Sequence, residues 1–147
     1  MSYVGVAPGT GGRWRRGTGA LALVLGLGSV ALAGDEGKLR KPQLEVRASP
    51  RMAFSPVEIL VTGQLKDGSD LEEFYCPGLE WDWGDGTRSA HESDCDPYKP
   101  GTPLVRHFTA RHAYFAPGAY QVRLTLRRAE RTVAAGSVAV MVHGGDN

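Results

Sequence analysis

Two cysteines placed symmetrically about a turn constrain this chain more than any other feature. Trp81-Asp82-Trp83-Gly84-Asp85-Gly86-Thr87 contains an Asp-Gly pair. A type I′ hairpin turn needs positive φ at both central positions, which Asp-Gly supplies well. Ahead of the pair, Trp81 and Trp83 alternate with Asp82, the period-2 pattern of a strand with one buried face. The chain is therefore predicted to enter as a strand, reverse at Asp85-Gly86, and leave as a second strand from Arg88. Cys76 lies nine residues before Asp85 and Cys95 nine after Gly86, so the two oppose each other in such a hairpin. Opposed strand residues sit about 4.5–5.5 Å apart at Cα, within the reach of a disulfide. A Cys76–Cys95 bridge is expected, with regular pairing ending before it, because Pro77 and the polar residues near Cys95 interrupt a ladder. Half of a zinc site, the other use of two cysteines, would want a CxxC pair that the sequence lacks.

The same stretch resembles the W-D-F-G-D-G signature of the PKD domain (polycystic kidney disease repeat), with Trp83 where the family usually has Phe. That family's second signature is H-x-Y followed by P-G-x-Y-x-V-x-L-T-V. It is matched by His112-Ala113-Tyr114 and then by Pro117-Gly118-Ala119-Tyr120-Gln121-Val122-Arg123-Leu124-Thr125-Leu126. The resemblance covers Pro42 to His143 and implies an immunoglobulin-like sandwich. In that fold a Trp on the third strand fills the core, the place of Trp81, and Tyr120 is similar to a tyrosine-corner residue bonded back to the main chain. The resemblance also implies protein–protein or protein–carbohydrate contacts outside the cytoplasm.

The start of the chain reads as an address. Residues 1–19 contain Arg13, Arg15 and Arg16 but no acid, and Ala20 to Ala33 is an unbroken run of small and apolar residues ending in Ala31-Leu32-Ala33. This is the pattern of a secretory signal peptide spanning 1–33. A spanning helix needs about 20 apolar residues, so no stable transmembrane anchor is expected once the signal is cleaved; an uncleaved anchor is the alternative. Export, whether to the periplasm or to the outside, places both cysteines in an oxidising compartment. Cleavage also removes three of the 17 basic residues and none of the 16 acids, leaving 14 against 16, or −2. A charge so near zero gives no reason to expect nucleic acid as a partner.

The rest of the chain, after a flexible lead-in over 34–41, alternates in short runs. Gln43–Ala48 carries Leu44 and Val46 on one face. Val57–Thr62 carries Val57, Ile59 and Val61 and is predicted to close at Gly63. Asp67-Gly68-Ser69-Asp70 is a turn cluster, Leu79–Gly84 and the return from Arg88 form the hairpin, and Ser93–Pro103 is a loop. Leu104–His112 reads as a strand. Pro117-Gly118 fits a type II turn, with Pro fixing φ at the first central position and Gly supplying positive φ at the second. Tyr120, Val122, Leu124 and Leu126 then face inward, and Ala129-Glu130 turns the chain into a last strand over Thr132–Val142 with Val138, Val140 and Val142 inside. Six to seven short strands with no convincing helix predict an all-β, antiparallel β-sandwich over 42–143, with a tail at 144–147; the resemblance implies that this sandwich is immunoglobulin-like and of PKD type.

Little of this carries chemistry. Trp81, Asp82, Trp83, Gly84, Asp85, Gly86, His112, Tyr114, Pro117, Gly118 and Tyr120 read as structural motif residues, Asp85 serving the turn and Asp82 facing outward or bonding loop amides. The acids Asp67, Asp70, Glu72, Glu73, Glu92, Asp94 and Asp96 have no EF-hand spacing, and no cofactor is expected. His107 and His112, an odd number apart, point to opposite faces of one strand. No G-x-S-x-G supports nucleophilic catalysis. The reading is a non-enzymatic extracytoplasmic binding module whose partner is an unknown protein or polysaccharide. A sugar site would want two of Tyr75, Tyr98, Phe108 and Phe115 on one open face. The alternative is an envelope-assembly protein that pairs through a sheet edge with a larger partner, for which the outward Ala139 and Met141 of the last strand speak.

Overall fold

The computed structural model describes residues 39–145. The predicted signal segment lies outside the described residues, as do positions 34–38 of the lead-in and the last two residues of the tail.

Eight strands form among the described residues, one more than the upper expectation. They are β1 (Gln43–Ser49), β2 (Met52–Phe54), β3 (Val57–Lys66), β4 (Gly78–Asp82), β5 (Arg88–His91), β6 (His107–Tyr114), β7 (Gly118–Arg128) and β8 (Arg131–His143), with a single 3-10 turn at Glu72–Phe74. They make two sheets, ordered β1-β3-β6 and β2-β8-β7-β4-β5. This is an immunoglobulin-like β-sandwich.

The additional strand is β2, whose three residues are too few to show alternation. It also corrects the all-antiparallel expectation, because β2 runs parallel to β8, with Met52 opposite Met141 and Phe54 opposite His143. Proline explains the crossing. β1 pairs with β3 as far as Ser49 opposite Leu60, and Pro50 has no N–H with which to continue a ladder. The chain then steps to the other sheet, where the Arg51 carbonyl accepts from the Met141 N–H and the Ser55 N–H donates to the His143 carbonyl, both at 2.8 Å.

Gly63 does not end its strand. It faces the core inside β3, and a Cβ there would lie 2.3 Å from Cδ2 of Leu124 on the opposite sheet. The glycine makes room for a core leucine instead of breaking the strand. Leu65 follows it inward and is buried. At the other end of the ladder, β6 starts at His107 and not at Leu104. Arg106, just before it, bonds the carbonyls of Asp67 at 2.7 Å and Gly68 at 3.2 Å and the Asp70 carboxylate at 2.5 Å. That side chain staples the turn after β3 to the start of β6.

The space between the sheets holds Val46, Ile59, Val61, Leu65, Phe108 and Tyr114 from one side and Trp81, Val122, Leu124, Leu126, Val138, Val140 and Val142 from the other, with Phe74 and Trp83 at its ends. Phe108 is therefore core, which removes it from the aromatics free to bind a sugar. Among the described residues no helix is long and apolar enough to cross a membrane.

Candidate functional site

The Trp81–Thr87 motif builds the hairpin end of the sandwich, but not by a type I′ turn. The ladder runs from Leu79 opposite His91 to Asp82 opposite Arg88, leaving residues 83–87 as a wider loop closed by Trp83 N–H to Thr87 C=O at 3.1 Å. Positive φ falls on Gly84 and Gly86, at 76° and 89°, and not on Asp85. The aspartates explain the width, since each bonds an amide two residues on. Asp82 Oδ1 accepts from Gly84 N–H at 3.0 Å, and Asp85 Oδ1 accepts from Thr87 N–H at 2.9 Å and the Thr87 hydroxyl at 2.6 Å. Register shifts by one residue from the expectation, and the ladder stops before the cysteines. The Cys76–Cys95 disulfide closes beyond it, with Cα atoms 6.2 Å apart.

Behind the loop stands a file of aromatic rings. Trp81 and Trp83 stack at 5.5 Å, Trp83 and His112 at 4.5 Å, and His112 meets Tyr114 edge-on at 4.8 Å. Hydrogen bonds fix the file. The Trp83 indole N–H donates to Ser89 Oγ at 2.9 Å, and the Tyr114 hydroxyl donates to the Trp83 carbonyl at 2.7 Å. Tyr120 stacks on Tyr114 at 4.2 Å and donates its hydroxyl to the Ala116 carbonyl at 2.7 Å. Its ring lies over Gly118, where a Cβ would be 3.1 Å from Cζ of Tyr120. Gly118 is already the first residue of β7, opposite Val142, and is absent from the positive-φ glycines. The expected type II turn is thus replaced by a glycine chosen for its missing side chain.

His112 Nε2 and Asp85 Oδ2 meet at 2.7 Å, tying the hairpin loop of one sheet to β6 of the other. Partial burial by itself raises the Asp85 carboxyl, but hydrogen bonds from the Thr87 side chain, His112 and the Thr87 amide, with the charge on His112, bring it down to about 2. Burial, then the Asp85 and Tyr120 charges, push Tyr114 up to about 12. A depressed carboxyl contributes stability that is complete above its unfolded value of 3.8 and disappears as pH falls to about 2. The gap in Tm between the native chain and Asp85→Asn is therefore expected to be full above that range and to close on acidification through it. A gap that stays constant down to the acid limit would remove the proton linkage.

These groups are consumed in structure. At the disulfide end, Tyr75 and Tyr98 meet edge-on at 5.3 Å. Both are half-buried, and the Tyr75 hydroxyl donates to the Asp96 carbonyl at 3.0 Å. Arg128 is occupied here too, bonding the Glu72 carbonyl, the Tyr75 carbonyl at 3.1 Å and the Glu72 carboxylate at 3.4 Å. The tyrosines pin the Ser93–Pro103 loop and present no flat platform. Phe115, 80% exposed, precedes the far end of β7. No cluster of three or more potential metal-ligating side chains occurs among the described residues.

The outer face of the five-stranded sheet divides in two. Its β4–β5 half is charged and internally paired, with Arg88 to Asp82 at 3.0 Å and Arg127 to Glu80 at 3.2 Å. Its β2–β8 corner is apolar: Met52, Met141 and Ala119 lie in one cross-strand row. Together with Ala139 and Arg51 they line a groove of about 390 Å³. Met52 is 67% exposed, Phe54 66% and Met141 41%. Sequence reasoning singled out Ala139 and Met141 but placed them on an edge strand. At Met141, β8 is covered by β2, and β2 is the edge. Met52 and Phe54 were missed; their only signal was two large apolar residues with a small one between them, framed by Pro50 and Pro56.

No protein-family model matches the sequence, and a search of the curated proteins finds no match. Among solved structures the chain is similar to the PKD domain of an M14-like peptidase from Thermoplasmatales archaeon SCGC AB-540-F20. The TM-score is 0.48 and the identity 18%, over 72% of this chain and 99% of that one. It is also similar to a CARDB domain from Pyrococcus furiosus, with TM-score 0.43 and 12% identity over 70% of this chain and 94% of the other. With the Trp81–Gly86 signature closing β4 and the second signature running from β6 into β7, the described residues form a PKD-like, immunoglobulin-type β-sandwich.

Proposed function

We propose that the chain is a non-catalytic binding module that works outside the cytoplasm, secreted or periplasmic, and contacts a protein partner. The observation that carries this reading is the apolar corner of the outer sheet face, where Met52, Phe54 and Met141 stand exposed side by side. Scattered surface apolar residues need no explanation, but a contiguous apolar patch rimmed by polar residues is the mark of an interaction surface. Methionine, flexible and polarisable, suits such a surface. The closed disulfide supports an oxidising compartment. A polysaccharide partner has less behind it, because the Tyr75–Tyr98 pair is half-buried and packed edge to face, and Phe115 is the one aromatic of the four candidates that stands exposed.

The test is capture of partners from the native exported fraction by the full chain, beside Met141→Lys and, as a control on the charged half, Arg123→Ala. Stoichiometric protein capture that Met141→Lys abolishes and Arg123→Ala keeps is the expected result. Capture indifferent to Met141→Lys, or retention on an insoluble glycan alone, would overturn it.

A further inference from the structure

The geometry points to a second copy of this chain as the occupant of the β2 edge, the two β2 strands pairing antiparallel about a two-fold axis through Ala53. The inference rests on the protein-contact reading above and names its partner. β2 is the last strand of its sheet. Its bonds to β8 include the Arg51 carbonyl and the Ser55 N–H. Alternate residues of a paired strand direct their N–H and C=O to opposite sides. Arg51, Ala53 and Ser55 therefore serve β8, while Met52 and Phe54 turn their main-chain groups away from it.

Those four outward groups are a complete set for an isologous contact. In an antiparallel ladder the directly opposed residues of a hydrogen-bonded pair exchange both bonds. With the axis through Ala53, Met52 faces Phe54 of the second copy and Phe54 faces its Met52, giving four bonds with none left over. The side chains agree, because both residues project on the outer face and each thioether comes beside a phenyl ring. The charges agree as well. The next opposed pairs are Arg51 with Ser55 and Pro50 with Pro56, so no like charges face each other, and the corner carries no acid to select a basic partner.

Length decides between a second copy and an arbitrary extended peptide. Pro50 and Pro56 frame the strand, and a proline cannot donate to a ladder. A longer partner strand would leave groups unpaired at both ends, whereas a strand equally short and equally framed matches throughout. β2 has one free edge, with β8 on its other side, and the isologous contact uses that edge up, so association through it stops at two copies.

The test uses single variants M52C and F54C of the full chain and sedimentation of the native protein. Opposed hydrogen-bonded residues lie about 5.5 Å apart at Cα, within disulfide range, and the diagonal neighbours about 7–8 Å apart. Oxidising a mixture of M52C and F54C is expected to give at least ten times more covalent dimer than either alone. The native chain should show a concentration-dependent dimer that Phe54→Lys, still cooperatively folded, shifts to monomer. Equal cross-linking by either variant alone, or a native chain monomeric up to about 1 mM, would overturn the inference. If self-pairing fails while a captured protein is still lost on Met141→Lys, the binding-module reading survives; if dimers form while nothing else is captured, self-association is the contact.

Discussion

Trp83→Ala is expected to cost the fold about 3–5 kcal/mol, the range for removing a large aromatic from a core. The indole is 3% exposed and lies between Trp81 at 5.5 Å and His112 at 4.5 Å. Removing it leaves a slot that neither neighbour can fill without leaving its own contacts. A domain of this size holds only about 5–15 kcal/mol in total, so a fall in Tm of about 10–20 °C should follow. Trp83→Phe discriminates the cause. Phenylalanine keeps a ring in the file and loses mainly the 2.9 Å bond from the indole to Ser89, a loss of about 1 kcal/mol. Denaturant unfolding of the two variants should therefore separate them by at least 2 kcal/mol on these scales. Equal losses would mean that the hydrogen bond, and not the ring, holds the hairpin.

The sequence made the core strands legible because period-2 alternation survives wherever one face is buried. Val122, Leu124 and Leu126 of β7 and Val138, Val140 and Val142 of β8 lie inside as their spacing predicts. Glycine proved less legible, because one residue type serves two physical needs. Gly63 and Gly118 read as a stop and a turn; both are places where another side chain fills the vacant space, Leu124 of the opposite sheet in one case and Tyr120, two residues along the same strand, in the other. Nothing local to Gly63 reveals a neighbour that arrives from another strand, and at Gly118 the Pro-Gly turn signal masks the need of the tyrosine ring for room. The hairpin turn failed for a related reason. The Asp-Gly signal is sound for a two-residue turn, but Asp82 and Asp85 each capture an amide two residues on and so define a loop of five. The exposed corner stayed hidden longest. Three residues show no period, and Met52 and Phe54 matter only once β2 is seen beside Met141.

Replacing both cysteines by alanine is expected to destabilise the fold by about 3 kcal/mol on the chain-entropy argument, at a sequence separation of 19. The native contacts near the bridge indicate where the loss would be felt. The Ser93 hydroxyl bonds the Pro77 carbonyl at 2.9 Å and Tyr75 bonds Asp96 at 3.0 Å, so the start of the long loop keeps local ties without the disulfide. Hydrogen exchange should therefore rise first between Asp94 and Arg106 and remain slow in β7. A second variant tests the backbone at the bridge. Cys76 sits at φ 51°, where an L residue is strained by about 1–2 kcal/mol and glycine is not. Cys76→Gly with Cys95→Ala should therefore be more stable than the double alanine variant by up to about 1 kcal/mol, once glycine's greater freedom in the unfolded chain is subtracted. A double alanine variant as stable as the native chain would show that loop entropy does not limit this fold. A glycine variant weaker than the alanine one would show that position 76 leaves the left-handed region once the bridge is gone, making the strain a consequence of the disulfide and not of the turn.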